Sequence, residues 1–264
     1  MSTKKMGELS FWDHLTELFS HLRRIFYAFI ISTIVVMVLP ISIDFSNIGL
    51  SSPFYQTITS TIMSNLQKRF LEGRATLVPL TFFAPLEVYV FISIIIGATI
   101  SLPVAAYELY RFFSPALYKR EKSFALKFTI SFIGLFIFGL ALGYLYVVPL
   151  TFQVMLALSG LLNLSPIYDF AEFFSMVGMM LLTCGLMFTF PIYIHLLVKA
   201  GILKTQQLTK NRKYLYGAIL IIIMVLDPDP GLVTESVTFI PIVILMEITI
   251  FISKRVEKSR KLMK

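Results

Sequence analysis

Charge is scarce in this sequence: Asp, Glu, Lys and Arg make up 14% of its 264 residues, against about 25% in an ordinary soluble domain. Water is therefore not its main solvent. The one cysteine, Cys184, permits neither an internal disulfide nor a cysteine metal cluster, and inside an apolar block it reads as a small packing residue. No HExxH or GxxxxGK[ST] run is present, which removes the common zinc-hydrolase and nucleotide-phosphate signatures. The ten-residue apolar and polar alternation of a membrane β-barrel is missing too. The opening MSTKKMGELSFWDHL lacks an apolar core leading to a small-residue cleavage site, so no removable signal peptide is read.

Hydrophobic residues are abundant, at 57%, with a mean hydropathy of +0.81. They gather in six blocks, approximately Ile25 to Ile43, Val88 to Tyr107, Phe128 to Pro149, Phe173 to Val198, Tyr214 to Leu226 and Val237 to Ile252. Roughly 17 to 25 apolar residues suffice for a helix to cross a bilayer. The expected fold is an all-α membrane protein with six transmembrane helices.

Six crossings put both termini on one side, and the charges say which. Twenty of the 23 Lys and Arg fall in the N-terminal arm, the loops after the second and fourth blocks, and the tail, leaving Lys68, Arg69 and Arg74 in the first outer loop. The positive-inside rule places both termini in the cytoplasm. Membrane orientation thus accounts for the net charge of +8, and a nucleic-acid footprint is not needed.

The fifth block, about 13 residues, reaches only about 20 Å against a hydrocarbon core of about 30 Å. The sixth, about 16 residues, is short as well, and the two are joined by the helix-breaking DPDPGLVTES. Either the pair thins the bilayer locally, or Lys213, Tyr214, Tyr216 and Lys254 extend it by snorkelling. In the long first outer loop, Thr59 to Phe70 reads as a helix outside the bilayer.

A few polar groups require explanation. From Ser10 to Phe26, the residues Phe11, Leu15, Leu18, Leu22 and Ile25 share an apolar stripe at helical spacing. Ser10 and Asp13 resemble a capping box. Glu17 and His21, four apart, could pair. Glu121 sits among Lys119, Arg120 and Lys122, as an intra-loop ion pair or, with Glu17, as one of two cytoplasmic carboxylates open to a cation. Carboxylates take guanidinium groups in bidentate fashion and so distinguish Arg from Lys.

Glu247, inside the sixth block, is a functional candidate because ionisable groups are costly at membrane depth, or it pairs within the bundle. Glu87 and Glu108, at opposite ends of the second block, are read as solvated at the interfaces. Asp227 and Asp229 read as a capped turn rather than a metal site, and His195 as an interfacial histidine. Pro191 in the fourth block frees a backbone carbonyl, which the hydroxyl of Thr189 could satisfy.

Several stretches together resemble the TatC family, the multi-spanning component of the twin-arginine protein translocase. They are FWDHLTEL before the first span, Pro53, LPVAAYELYRFFSPALYKRE from Leu102 to Glu121, FPIYIHLLVKAGI, and DPDPGLVTESVTFIPIVILME. The resemblance covers nearly the whole chain and implies a single membrane domain over 1–264, with a cytoplasmic amphipathic arm at 1–24 and a basic tail at 254–264. It implies a receptor, not an enzyme. Twin-arginine signal peptides of folded cargo would bind at Glu17 and Glu121, with His14, Leu15, Leu18, Pro115 and Tyr118 beside them.

By the same resemblance, Thr189, Pro191 and Glu247 are intramembrane polar or partner contacts, and Pro53 and Asp229 are outer-loop positions. The implied partners are TatA-type and TatB-type single-span proteins, the lipid bilayer and further copies of the chain. Transport would draw on the proton-motive force, with no cofactor or metal, in the plasma membrane of a prokaryote or an organelle membrane of that descent. Two departures stand out. Phe19, Ser20 and His21 follow Leu18 where the family usually has Arg and Lys, and Thr189 stands where a Glu or Gln is frequent.

The runner-up is a secondary transporter of a small solute, which would place ionisable pairs near the midplane and often shows two repeated halves. No repeat is seen, and only Glu247 is placed deep. An intramembrane enzyme would need a nucleophile with a base, or a metal set. If the fifth and sixth spans do thin the membrane, bilayer profiles from cryo-EM in lipid will show a local depression beside them. Full thickness there would leave snorkelling as the explanation.

Overall fold

The structure, a computed structural model, describes residues 11–43, 55–71, 73–113, 122–226 and 232–262. Nine helices are found among them: α1 (Phe11–Val38), α2 (Ile58–Leu71), α3 (Ala84–Phe113), α4 (Lys122–Leu142), α5 (Val148–Leu161), α6 (Phe170–Ala200), α7 (Thr205–Lys210), α8 (Arg212–Leu226) and α9 (Leu232–Leu262). Five stretches are long and apolar enough to cross a membrane: Leu15–Val38, Ala84–Phe112, Lys127–Leu161, Phe170–Lys199 and Glu235–Arg255. The short α8 is the additional helix. The chain is an all-α, multi-pass membrane protein, as the sequence predicts.

Several boundaries differ from the sequence reading. The amphipathic stretch and the first span are one helix, α1, whose apolar section begins at Leu15 rather than Ile25. At its other end the backbone leaves the helix at Pro40, and Pro40–Ile43 (β1) pairs antiparallel with Tyr55–Thr57 (β2). The third span does not stop at Pro149. Gly143–Val147 widens into a π-helical turn, and α5 carries Pro149 in its first turn. Proline has no N–H and its ring crowds the carbonyl four residues back, so a wide turn there lets the helix continue.

The resulting 35-residue stretch is about 52 Å long and overshoots a hydrocarbon core of about 30 Å. Its α5 end meets α2, the helix read in the outer loop. There Phe70 stacks on Phe152 at 6.2 Å and meets Tyr144 edge-on at 5.4 Å. Thr76–Val78 (β3) and Ile167–Asp169 (β4) pair in parallel beside them. Asp169 then caps α6, accepting from the N–H of Glu172 at 3.1 Å and from that of Leu80 at 3.2 Å. One carboxylate thus ties the entry of α3 to the start of α6.

Helix α6 is the hub. It packs on α3, α4 and α9, and its span is the most buried of the five. Lipid tails give helices no hydrophobic reason to associate, so close backbone approach at small residues matters more than in water. Gly139 of α4 and Gly143, four residues on at the start of the π-helical turn, face Cys184 of α6. A Cβ on Gly139 would lie 2.6 Å from the Cys184 carbonyl oxygen and 2.8 Å from the Phe188 Cβ. Cys184 is therefore a packing residue, as read.

The last two spans are short in different degrees. Helix α8, 15 residues, reaches about 22 Å. The apolar section of α9, 21 residues, is the shortest of the five. At the end of α6 Gly201 turns left-handed, with φ of 82°, and its N–H donates to the Val198 carbonyl at 3.0 Å. Helix α7 then runs beside α9, where the N–H and hydroxyl of Thr205 donate to Glu257 Oε2 at 3.0 and 2.5 Å.

Two substitutions on one helix test the glycine contact. Gly139→Ala should lower the thermal stability of the detergent-solubilised protein by an amount equivalent to about 1–3 kcal/mol. Gly134→Ala meets nothing within 4 Å and should be neutral or stabilising by up to about 1 kcal/mol. Equal effects would refute the close approach.

Candidate functional site at the cytoplasmic ends of α1 and α3

Helices α1 and α3 lie against each other along most of their lengths. Midway, Gly97 makes room for Thr33, whose Oγ1 would stand 2.2 Å from a Cβ there. The Ser32 hydroxyl donates to the Gly97 carbonyl at 2.8 Å. Towards the outer end, the Tyr89 hydroxyl donates to the Met37 carbonyl at 2.6 Å. This crossing aligns the polar residues of the first turns of α1 with the last turns of α3.

At the cytoplasmic end, Glu108 is buried, at 5% exposure, whereas Glu87 at the other end of α3 is exposed. The interfacial reading holds for Glu87 and fails for Glu108. His21 Nδ1 lies 2.5 Å from Glu108 Oε2, and Arg24 Nη1 lies 3.1 Å from the same oxygen. Arg111, one turn along α3, reaches Oε1 at 3.7 Å. The His21 ring also meets Phe112 edge-on at 6.2 Å. A buried carboxylate requires partners, and here two helices supply an imidazole and two guanidinium groups.

His21 is itself buried, at 7% exposure, while Leu18 and Leu22 are 39% and 54% exposed. The polar face of α1 therefore packs inward and its apolar stripe points towards lipid, the reverse of a water-soluble amphipathic helix. Glu17 is half-buried. Four residues before His21, it lies on the same helix face about 6 Å further towards the cytoplasmic end. Leu15 is half-buried too.

The remaining predicted site residues fall elsewhere. Pro53, Pro115, Tyr118, Glu121 and Asp229 lie outside the described residues, as does the side chain of His14. Thr189 is buried, and its hydroxyl donates to the Leu186 carbonyl at 2.7 Å. That is not the carbonyl of Met187, which Pro191 leaves without an i+4 donor. Glu247 accepts from the Tyr216 hydroxyl and pairs with Arg212 at 3.1 Å, so the deep carboxylate is held within the α8–α9 hairpin. His195 Nδ1 lies 2.9 Å from the Ser253 hydroxyl of α9, a bundle contact rather than a solvated ring.

Residues 13–241 match the protein family described as Sec-independent protein translocase protein (TatC). The chain belongs to the TatC family. It is 29% identical over 254 residues to the Sec-independent protein translocase protein TatCy of Bacillus subtilis, covering 96% of this chain and 92% of that one. With TatC of Aquifex aeolicus it is 30% identical over 243 residues, covering 91% and 96%. The crystal structure of a twin-arginine translocase receptor, TatC, superimposes with a TM-score of 0.74 at 28% identity, over 92% of this chain and 99% of that one. This TatC-family chain is thus a component of a protein translocase, working in transport within a membrane.

Sequence reasoning missed Glu108 because nothing local names its partners. Arg111 three residues on was visible, but His21 lies 87 residues away. Removing one member of the pair orphans the other, whereas removing both does not. The double variant His21→Leu/Glu108→Leu should therefore lose less stability than the sum of the two single losses, by more than about 1 kcal/mol. Additive losses in thermal or denaturant unfolding would mean that the two groups do not interact.

Proposed function

We propose that this chain is the signal-peptide receptor of a twin-arginine translocase, reading a pair of arginines at its cytoplasmic face. The observation that carries the reading is the α1–α3 seam: the half-buried Glu17 lies on the His21 face of α1, about one turn from a buried carboxylate of α3. Glu121 lies in sequence between Phe113, where α3 ends, and Lys122, where α4 begins. Planar carboxylates accept the forked donors of a guanidinium in parallel, a geometry that an ammonium cannot offer.

In this reading Glu17 and Glu121 receive the two guanidinium groups, with His14, Leu15, Leu18, Pro115 and Tyr118 contacting the peptide around them. Single-span TatA-type and TatB-type proteins pack against the spans, where Thr189, Pro191 and Glu247 are the polar positions, while Pro53 and Asp229 serve the outer side. Folded cargo crosses at the expense of the proton-motive force, in the plasma membrane of a prokaryote.

The test is capture, by the full chain in detergent, of a peptide with two arginines before an apolar stretch, against its two-lysine counterpart. The arginine peptide should be retained selectively, and Glu121→Ala or Glu17→Ala should weaken it by about tenfold or more. Equal capture of the two peptides, or capture indifferent to Glu121→Ala, would sink the proposal.

A further inference from the structure

We propose that Glu108 is a third arginine-reading carboxylate, and that Arg24 and Arg111 of the chain itself occupy it until a signal peptide displaces them. This rests on the receptor reading above and names a specificity-determining residue for it.

Both oxygens of Glu108 are in use: Oε2 by Arg24 at 3.1 Å and His21 at 2.5 Å, and Oε1 by Arg111 at 3.7 Å. Two guanidinium groups converging on one carboxylate is the constellation that a pair of peptide arginines would present. The carboxylate has a side-chain exposure of 7%, whereas the side chains of Arg24 and Arg111 are 49% and 47% exposed. The site is thus fixed and its two occupants are peripheral. They come from different helices and reach the carboxylate from the solvent side.

Swinging such an arginine aside costs less than breaking a fully buried pair, because its own guanidinium is about half exposed and regains water as it leaves. Arg111 has somewhere to go, since its guanidinium already lies 5.9 Å from the Tyr107 ring centroid, within cation–π range. His21 is buried and stays on Oε2 throughout, so Glu108 is never left as a bare charge during the exchange. Exchanging one guanidinium for another keeps the same charge against the Glu108 carboxylate itself. An incoming ammonium would lose the planar fork that the arginines supply, and this makes the exchange selective.

The experiment measures binding of fluorescent two-arginine and two-lysine signal peptides to the full chain in detergent. Arg24→Gln/Arg111→Gln should strengthen binding of the arginine peptide by about five- to tenfold, because the peptide no longer has to displace two half-exposed competitors. Binding of the lysine peptide should change by less than about twofold. Adding Glu108→Gln should erase the gain. The milder Arg24→Lys/Arg111→Lys keeps the charge and should give a smaller gain in the same direction, which guards against misfolding of the glutamine variants.

If both peptides gain equally, the two arginines act only through the general field and the proposal falls. It falls as well if the gain survives Glu108→Gln, or if removing the arginines weakens binding while the wild-type chain still prefers the arginine peptide. A wild-type chain with no preference overturns the receptor reading itself.

Discussion

The crossing of α1 with α3 is held at three levels, and the cytoplasmic side depends on it. At the outer end Tyr89 bonds the Met37 carbonyl, in the middle Ser32 bonds the carbonyl of Gly97, and at the inner end His21 and Arg24 bond Glu108. Between helices in lipid no burial of apolar surface drives association, so the work falls to hydrogen bonds and close backbone contact. The inner contact constrains most, because a carboxylate among apolar helices is tolerated only with its partners in place. Sliding α1 by one residue would turn His21 away from Glu108 and take Glu17 off the seam. The register that satisfies one buried charge therefore also positions the candidate receptor face.

The rest of the bundle is arranged around α6, and the same rules recur there. Gly139 of α4 and Gly143 of the π-helical turn lie against Cys184, and Asp169 holds the entries of α3 and α6 together at the outer end. In the α8–α9 hairpin Glu247 is engaged by Arg212 and Tyr216, so a carboxylate within an apolar helix is neutralised by the start of its short neighbour. Helix α8 begins level with Glu247, well inside the apolar section of α9. Its shortness and the presence of a charge on α9 are thus two aspects of one packing arrangement.

Composition and patterning along the chain are enough to give the solvent, the six blocks, the common side of both termini and the family. Each of these follows from local composition: apolar runs must be long enough to span, and Lys and Arg resist translocation. Helix ends were less legible. Pro149 reads as a stop, yet a π-helical turn carries the helix past it to Leu161, because the backbone can widen at Gly143–Val147 when neighbouring helices pack around it. Which polar residues meet is legible only in the folded chain. Glu87 and Glu108 look alike on one helix, but Glu108 faces His21, 87 residues away. No spacing rule links two helices whose relative register is set by glycine contacts and by the requirement that a buried charge be paired.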